Sequence, residues 1–334
     1  MRFFLIFLAL ISCSVTSNVK EHKSEDKPKW LQNPKSVYAD KYYLSAIGQG
    51  DSRQQAIDMA MANLAKIFEV KIDASETIDL KYLEIFKNEK WQLEEKSEIH
   101  KNIKIKSNEM LFNVQFGESY TDEMGQVFAV AYLNRFETAQ IYKTKISENS
   151  ARIEYFTSQE SADILQRYTH LVAASSLAQK NDVLQGQLKI IAHNLVEKLD
   201  YDFQQIIENT KKTAQNIGFT INVKNDENGK IKIAIISLLT DLGFVVSNKP
   251  ILKIDGKINF TKTDLKRDIK FIRYEFQLQV SNRDEIIVAI TQNGREGHFS
   301  QNEAKARCIR TIEKIINSKM KQKIVTYFGS LMQD

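Results

Sequence analysis

The chain has 334 residues, of which 43% are hydrophobic and 27% charged, the balance of an ordinary globular protein with room for two domains and a sizeable core. Its 47 basic residues face 42 acidic ones along the whole chain. The resulting +5 is an even mixture, which describes a solvated surface and argues against a nucleic-acid footprint.

The N-terminus is more specific. Arg2 precedes the apolar run Phe3–Ile11, which is too short to span a bilayer. The run ends in Leu10-Ile11-Ser12-Cys13, an aliphatic residue, a tolerated one, a small one and a cysteine. This resembles the bacterial lipobox. The resemblance implies cleavage before Cys13 and a lipid on Cys13, whose acyl chains would anchor the body to a membrane. The other reading is a secretory signal with a chance cysteine. Cys308 is the only other cysteine, so a structural disulfide is not expected, and its helical setting beside Ala304 and Ile312 reads as a small buried residue. No later stretch is apolar over about 18 residues, so no transmembrane helix is predicted. Ser14–Lys27 is polar and unpatterned, a flexible tether.

Pro28 and Pro34 bracket Lys29-Trp30-Leu31, read as an extended entry segment with Trp30 packing on the first domain or stacking on a ligand. Tyr42–Ile47 has strand composition. Gly48 and Gly50 are read as a tight turn, followed by a capping box of Ser52 and Gln55. Ala56, Met59, Ala60, Asn63, Leu64 and Ile67 recur at helical spacing. The period switches to two from Phe68 to Tyr82, and Leu83–Glu95 breaks it again as a connection or short helix. Ile99, Ile103 and Ile105 stand on one parity and Met110, Phe112, Val114 and Phe116 on the other, which predicts a bulge at 107–109 or two strands. Gly117–Gly125 is read as turn and Val127–Leu133 as a buried strand.

Helical spacing then runs from Phe136 to Ser175. Gly186 is read as an interruption, with a further helix from Leu188 to Leu199. No heptad seam persists through Glu148–Glu154. Phe203–Ile217 reads as helix, Phe219–Val223 as strand, Asn225–Gly229 as turn and Ile231–Leu242 as a helix ended by Gly243. Three segments alternate cleanly: Leu252–Phe260, Ile272–Val280, and Ile286 with Val288 and Ile290. They predict an antiparallel sheet with one solvated face, covered by a helix from Gln301 to about Lys321. Ser300 and Glu303 form a second capping-box pattern behind Gly294 and Gly297, so the two halves could be versions of one unit or could share only good capping.

Chemistry is sparse. Gly48-x-Gly50 lacks the third glycine of a dinucleotide fingerprint, with Arg53 in its place. His22, His100, His170, His193 and His298 are scattered without metal-ligand spacing, and there is no nucleophile elbow. The most basic segment, Lys262–Arg273, could touch lipid headgroups or an acidic partner, or be a solvated hairpin. Tyr274 and Phe276 fall on the buried parity, leaving Phe271 alone as a base-stacking platform.

The lipobox and tether, Pro28-Lys-Trp30-Leu31, Pro34, Tyr42-Tyr43, Gly48-x-Gly50, Ser52, Ala56, Ala60, Asn63-Leu64-Ala65 and Val70 together resemble the Lpp-twenty-like family of bacterial surface lipoproteins, over residues 28–135. That domain is also similar to the N-terminal domain of flagellar assembly protein T. The resemblance implies an envelope lipoprotein of the outer membrane with no catalytic residues to carry over. The family-type sorting rule, which links aspartate after the lipidated cysteine to the inner membrane, meets Ser14 here and points to the outer membrane.

The expectation is an α+β protein of two strand–helix–antiparallel-sheet domains joined by a helical arm. Its segments are a signal peptide (1–12), lipidated Cys13 with its tether (13–27), a first α+β domain (28–135), a helical connector (136–199) and a second α+β domain (200–334). No enzymatic activity, cofactor, metal or nucleic-acid partner is expected. The expected partners are a membrane, through the lipid, and envelope proteins. The alternative is a periplasmic enzyme or small-ligand binder with a site between the two domains.

Overall fold

The computed structural model describes residues 27–68, 103–105, 109–263, 268–283 and 285–332. Cys13, the alternating stretch beyond Phe68, the 83–95 connection and the 107–108 part of the expected bulge lie outside them. The fold is α+β, with helices packed on two antiparallel-rich sheets.

The first sheet has the order β1-β5-β4, with β1 (Tyr43–Gly50), β4 (Gln115–Thr121) and β5 (Val127–Asn134) all antiparallel. A short ladder of β2 (Ile103–Ile105) and β3 (Glu109–Leu111) precedes β4, so the parity change marks two strands. Leu44, Ala46 and Gly48 stand opposite Leu133, Ala131 and Ala129 on one face, and α3 (Arg53–Lys66) lies on it through Ala56, Ala60 and Leu64. Gly48 and Gly50 do not form the expected turn: both belong to β1, and neither has positive φ. A Cβ on Gly48 would sit 2.1 Å from the Ala60 nitrogen and 2.3 Å from the Ala56 oxygen, so the residue is glycine because a helix backbone lies against the strand. The chain turns one step later, at Asp51–Ser52.

The entry segment is not extended. It folds into two single helical turns, α1 (Lys29–Gln32) and α2 (Pro34–Val37), with Pro34 in the first-turn position where its missing N–H costs nothing. Trp30 is buried, a packing residue. Tyr38 then lies on the face opposite α3, with its ring 4.6 Å from Tyr132 and 5.8 Å from Tyr43. Gly117 sits inside β4 rather than in a turn, and a Cβ there would meet the Tyr38 hydroxyl at 2.6 Å. The turn is confined to Asp122–Gly125, with Gly125 at φ 81°. Phe112 and Val114 are buried as the pattern required, whereas Asn113 at φ 57° breaks the strand and leaves Phe116 42% exposed.

Two long helices follow, α4 (Arg135–Ser158) and α5 (Ile164–Ala192). Asn134 and Asp163 cap them by accepting bonds from Phe136, Glu137, Leu165 and Gln166. Gly186 does not interrupt α5, which runs on to Ala192 and ends in a 3-10 turn, so no separate helix forms at 188–199. The reason is packing: Leu184, Leu188 and Ile191 join Tyr142 and Ile146 of α4 in the core under the first sheet. Such burial outweighs the roughly 1 kcal/mol that a glycine costs inside a helix. The other end of α5 contributes Leu165, Tyr168 and Val172 to the second core. One helix is therefore built into both cores.

The second unit begins with α6 (Phe203–Gln215) and contains β6 (Gly218–Lys224), α7 (Lys230–Asp241), β7 (Val245–Val246), β8 (Leu252–Thr263), β9 (Lys270–Asn282), β10 (Glu285–His298) and α8 (Gln301–Ile315). A five-residue π turn, Ile316–Met320, joins α8 to α9 (Lys321–Ser330), so the last helical run passes the expected end at Lys321. The sheet order is β10-β9-β8-β6-β7. It is antiparallel from β8 to β10, and β6 lies parallel to β8 and β7 after a crossover through α7. Gly243, at φ 80°, ends α7 with the Gly243 N–H on the Thr240 oxygen and the Phe244 N–H on the Leu239 oxygen, a Schellman closure. The alternation holds: Ile254, Ile258, Phe276, Leu278 and Val280 are buried and their neighbours exposed. Ile286 departs from it. A bulge between Ile286 and Val288 turns Ile286 outward, 55% exposed.

Candidate functional site

Cys13, the one residue assigned chemistry from the sequence, lies outside the described residues. Among those described, no group of three histidine, cysteine or carboxylate side chains is placed to hold a metal ion. No described helix is long and apolar enough to cross a membrane. His193 follows the last turn of α5, and His298 ends β10, where its Nδ1 accepts the Ser300 N–H at 3.1 Å. His170 is buried in α5 against the Phe156 ring, 5.6 Å away, and burial lowers its pKa. The Cys308 thiol is wholly buried, 3.5 Å from the Ile272 oxygen, and burial pushes its pKa up to about 11. It stays protonated and unreactive at neutral pH, in keeping with a packing role.

In the glycine-rich stretch two N–H groups at the start of α3 are engaged locally: Ser52 Oγ accepts from the Gln55 N–H at 3.3 Å, and Gln55 Oε1 accepts from the Asp51 N–H at 2.9 Å. Asn63 of α3 donates to the Ile47 oxygen at 2.9 Å and locks the helix onto β1.

Two polar arrangements escaped the sequence reading. Arg135, where β5 passes into α4, donates from Nε to the Asp40 oxygen at 2.8 Å and from one terminal nitrogen to the Ile190 and Ile191 oxygens at 2.8 and 2.6 Å. It thereby ties the entry segment, α4 and the C-terminal end of α5, where a cation suits the helix dipole. Midway along the helical pair, Asn181 is fully buried. Its Nδ2 lies 3.1 Å from both the Ile146 oxygen and Ser150 Oγ and 3.2 Å from the Tyr201 hydroxyl, and its Oδ1 accepts from Asn149 at 2.8 Å. A satisfied amide on an apolar stripe fixes how the helices register. The available signal was Asn181 itself, four residues after Leu177 and three before Leu184. Further along, Gln187 is 1% exposed with neither amide atom hydrogen-bonded among the described residues.

The described parts of the basic segment include the last residues of β8 and the first residues of β9. Tyr274 and Phe276 are buried as expected, and Phe271 lies on the solvated face beneath the Arg295 guanidinium, 5.4 Å from its ring centre.

No family model and no curated protein matches the chain. It is similar to a secreted protein of Helicobacter pylori, 13% identical, over 85% of this chain and 97% of that one, with a TM-score of 0.43. It is also similar to a minor lipoprotein of Acinetobacter baumannii, 12% identical, over 33% of this chain and 92% of that one, with a TM-score of 0.25. Likeness at this level assigns no function.

Proposed function

We propose that this chain is a bacterial envelope lipoprotein, non-enzymatic, held to the outer membrane by a lipid on Cys13 and acting through contacts with other envelope proteins. The observation that carries the reading is the order of residues 1–27: a positive residue, an apolar run too short to span, Ser12-Cys13 and a polar tether. The Lpp-twenty-like resemblance, which starts from that leader and continues over residues 28–135, supports it further. The α5 helix, built into both cores, suits a body that presents surfaces to partners.

The test is fractionation of cells carrying Cys13→Ala. The expected outcome is an unprocessed chain that leaves the outer-membrane fraction and no longer takes up labelled palmitate. Unchanged processing and unchanged membrane association would overturn the anchor. Ser14→Asp is expected to move the protein to the inner membrane in a host that follows the aspartate rule, and in-cell crosslinking of the wild type is expected to capture envelope proteins.

A further inference from the structure

The hairpin end of the second sheet lies far from the helical pair. The opposite end of β9 is tied to it: Tyr327 of α9 hydrogen-bonds Asn282, and the Asp163 charge at the start of α5 acts on the same hydroxyl. The 13 residues of β9 then carry the chain about 40 Å to Lys270.

Charge is concentrated at that remote end in an unusual way. Arg273 and Arg295 are exposed and stand directly opposite each other on β9 and β10, with Thr261 on the other side of Arg273. Like charges directly opposed across a strand pair weaken a sheet, and the carboxylate of Glu275, one row along on the same face, offsets only one of the two. Phe271 holds the Arg295 guanidinium over its ring. That next row holds exposed Glu275, opposite Asn293, as the one carboxylate beside the two arginines among the described residues. On the other face of the same strand ends, Lys262 and Lys270 flank Glu296, which the Thr311 hydroxyl engages at 2.9 Å, and Arg307 of α8 donates to the Gly297 oxygen at 3.0 Å.

Apolar side chains are exposed at the same strand ends. Phe299 is 73% exposed and Ile269 41%. They are brought together by the pairing of His298 with Lys270, one residue before Phe299 and one after Ile269. Gly297 has no side chain where Phe271 and Ile269 pack, and a Cβ there would lie 2.6 Å from the Phe271 ring.

We propose that this end of the sheet docks on an anionic phospholipid surface. Arg273 and Arg295 take headgroup phosphates, whose charge relieves the repulsion between them, and Phe299 and Ile269 enter the interface. A purely acidic protein partner would account for the arginines but would leave the exposed ring and aliphatic side chain without a role. The proposal concerns the second sheet and does not depend on the lipid.

The experiment uses the full chain with Cys13→Ala, which cannot be acylated, sedimented with vesicles of phosphatidylcholine alone or mixed with phosphatidylglycerol. Residues 3–11 contribute equally to both. The expected result is an excess on the phosphatidylglycerol vesicles that disappears at high salt. Arg273→Gln with Arg295→Gln should weaken that binding roughly thirty-fold, at about five-fold for each basic residue near such a surface. Its thermal midpoint should be unchanged or higher, because the repulsion is gone. Phe299→Ser should weaken binding to the same vesicles with the midpoint unchanged. Equal sedimentation with both vesicles would overturn the proposal, as would wild-type binding by the double variant. Loss of binding to inorganic phosphate at matched ionic strength would also overturn it, by revealing a discrete anion site.

Discussion

Each half of this protein sets a glycine pair in a strand just ahead of a helix, and the two pairs solve different problems. In the first unit, Gly48 and Gly50 of β1 face α3, and a Cβ on Gly48 would strike the helix backbone at Ala56 and Ala60. In the second, Gly294 and Gly297 of β10 lie beside rings, and a Cβ on either would meet Tyr274 or Phe271 of β9 at 2.7 or 2.6 Å. The first pair admits a helix against a sheet that is covered on both faces. The second lets aromatic side chains cover the strand at the edge of a sheet that has one face in water. Capping diverges too. Ser52 and Gln55 close a working box, whereas the Ser300 side chain makes no cap bond and Glu303 pairs with Arg310 instead. Similar spacing in two places is therefore no evidence of one duplicated unit. What the spacing does depends on whether backbone or side chain approaches it.

The comparison predicts a large asymmetry. Gly48→Ala forces α3 off β1, because backbone cannot step aside, and should cost about 3 kcal/mol. Gly294→Ala meets only the outer atoms of the Tyr274 ring and should cost about 1 kcal/mol. Chemical denaturation of both variants measures the difference, and equal losses would break the distinction between the two glycine pairs.

The α5 helix lets the comparison be sharpened, because its two halves serve the two cores. His170 lies in the earlier half, buried with its pKa lowered. The unfolded chain binds a proton near pH 6.5 that the folded chain resists, so the contribution is complete above that pH. It is lost as pH falls through 6.5 toward the folded value, with a slope of at most about 1.4 kcal/mol per pH unit. His170→Phe should remove this dependence from stability curves measured between pH 7 and 5, values chosen to bracket the ordinary histidine range. In the later half, Gln187 carries a buried amide without a partner among the described residues. Gln187→Leu should raise stability by about 1 kcal/mol, because it removes the desolvation penalty while keeping the volume. A loss of that size would mean that the amide is satisfied in solution.

Much of this was legible in local pattern. Strict alternation placed β8, β9 and the part of β10 beyond its bulge on the correct faces, and helical spacing with Ser52 placed α3. Other features depended on approach from outside the local segment. A glycine between strand and helix serves either backbone freedom or close packing, and only the position of Ala60 over Gly48 decides which. The bulge that turns Ile286 outward leaves no mark in a Val-Ile alternation. Gly186 looked like a break because the cores on α5 are assembled from residues far apart in the chain. At the candidate sites, Cys13 is read from its immediate neighbours alone and lies outside the described residues. The opposition of Arg273 and Arg295 was not legible, since it is set by strand register between residues 22 apart in number.

The smallest predicted effect tests the capping contrast directly. Ser52→Ala removes the acceptor of the Gln55 N–H and leaves one donor at the helix start without its cap, which should cost about 1 kcal/mol. Ser300→Ala removes a side chain that caps nothing, so its cost should be a few tenths of a kcal/mol. The Ser300 N–H already donates to His298 Nδ1, and that bond survives the substitution because it uses backbone. Differential scanning calorimetry of the two variants should therefore show a lower midpoint for Ser52→Ala alone. If Ser300→Ala falls as far, the hydroxyl caps α8 in solution, and the two units converge in their helix starts although their glycines still differ.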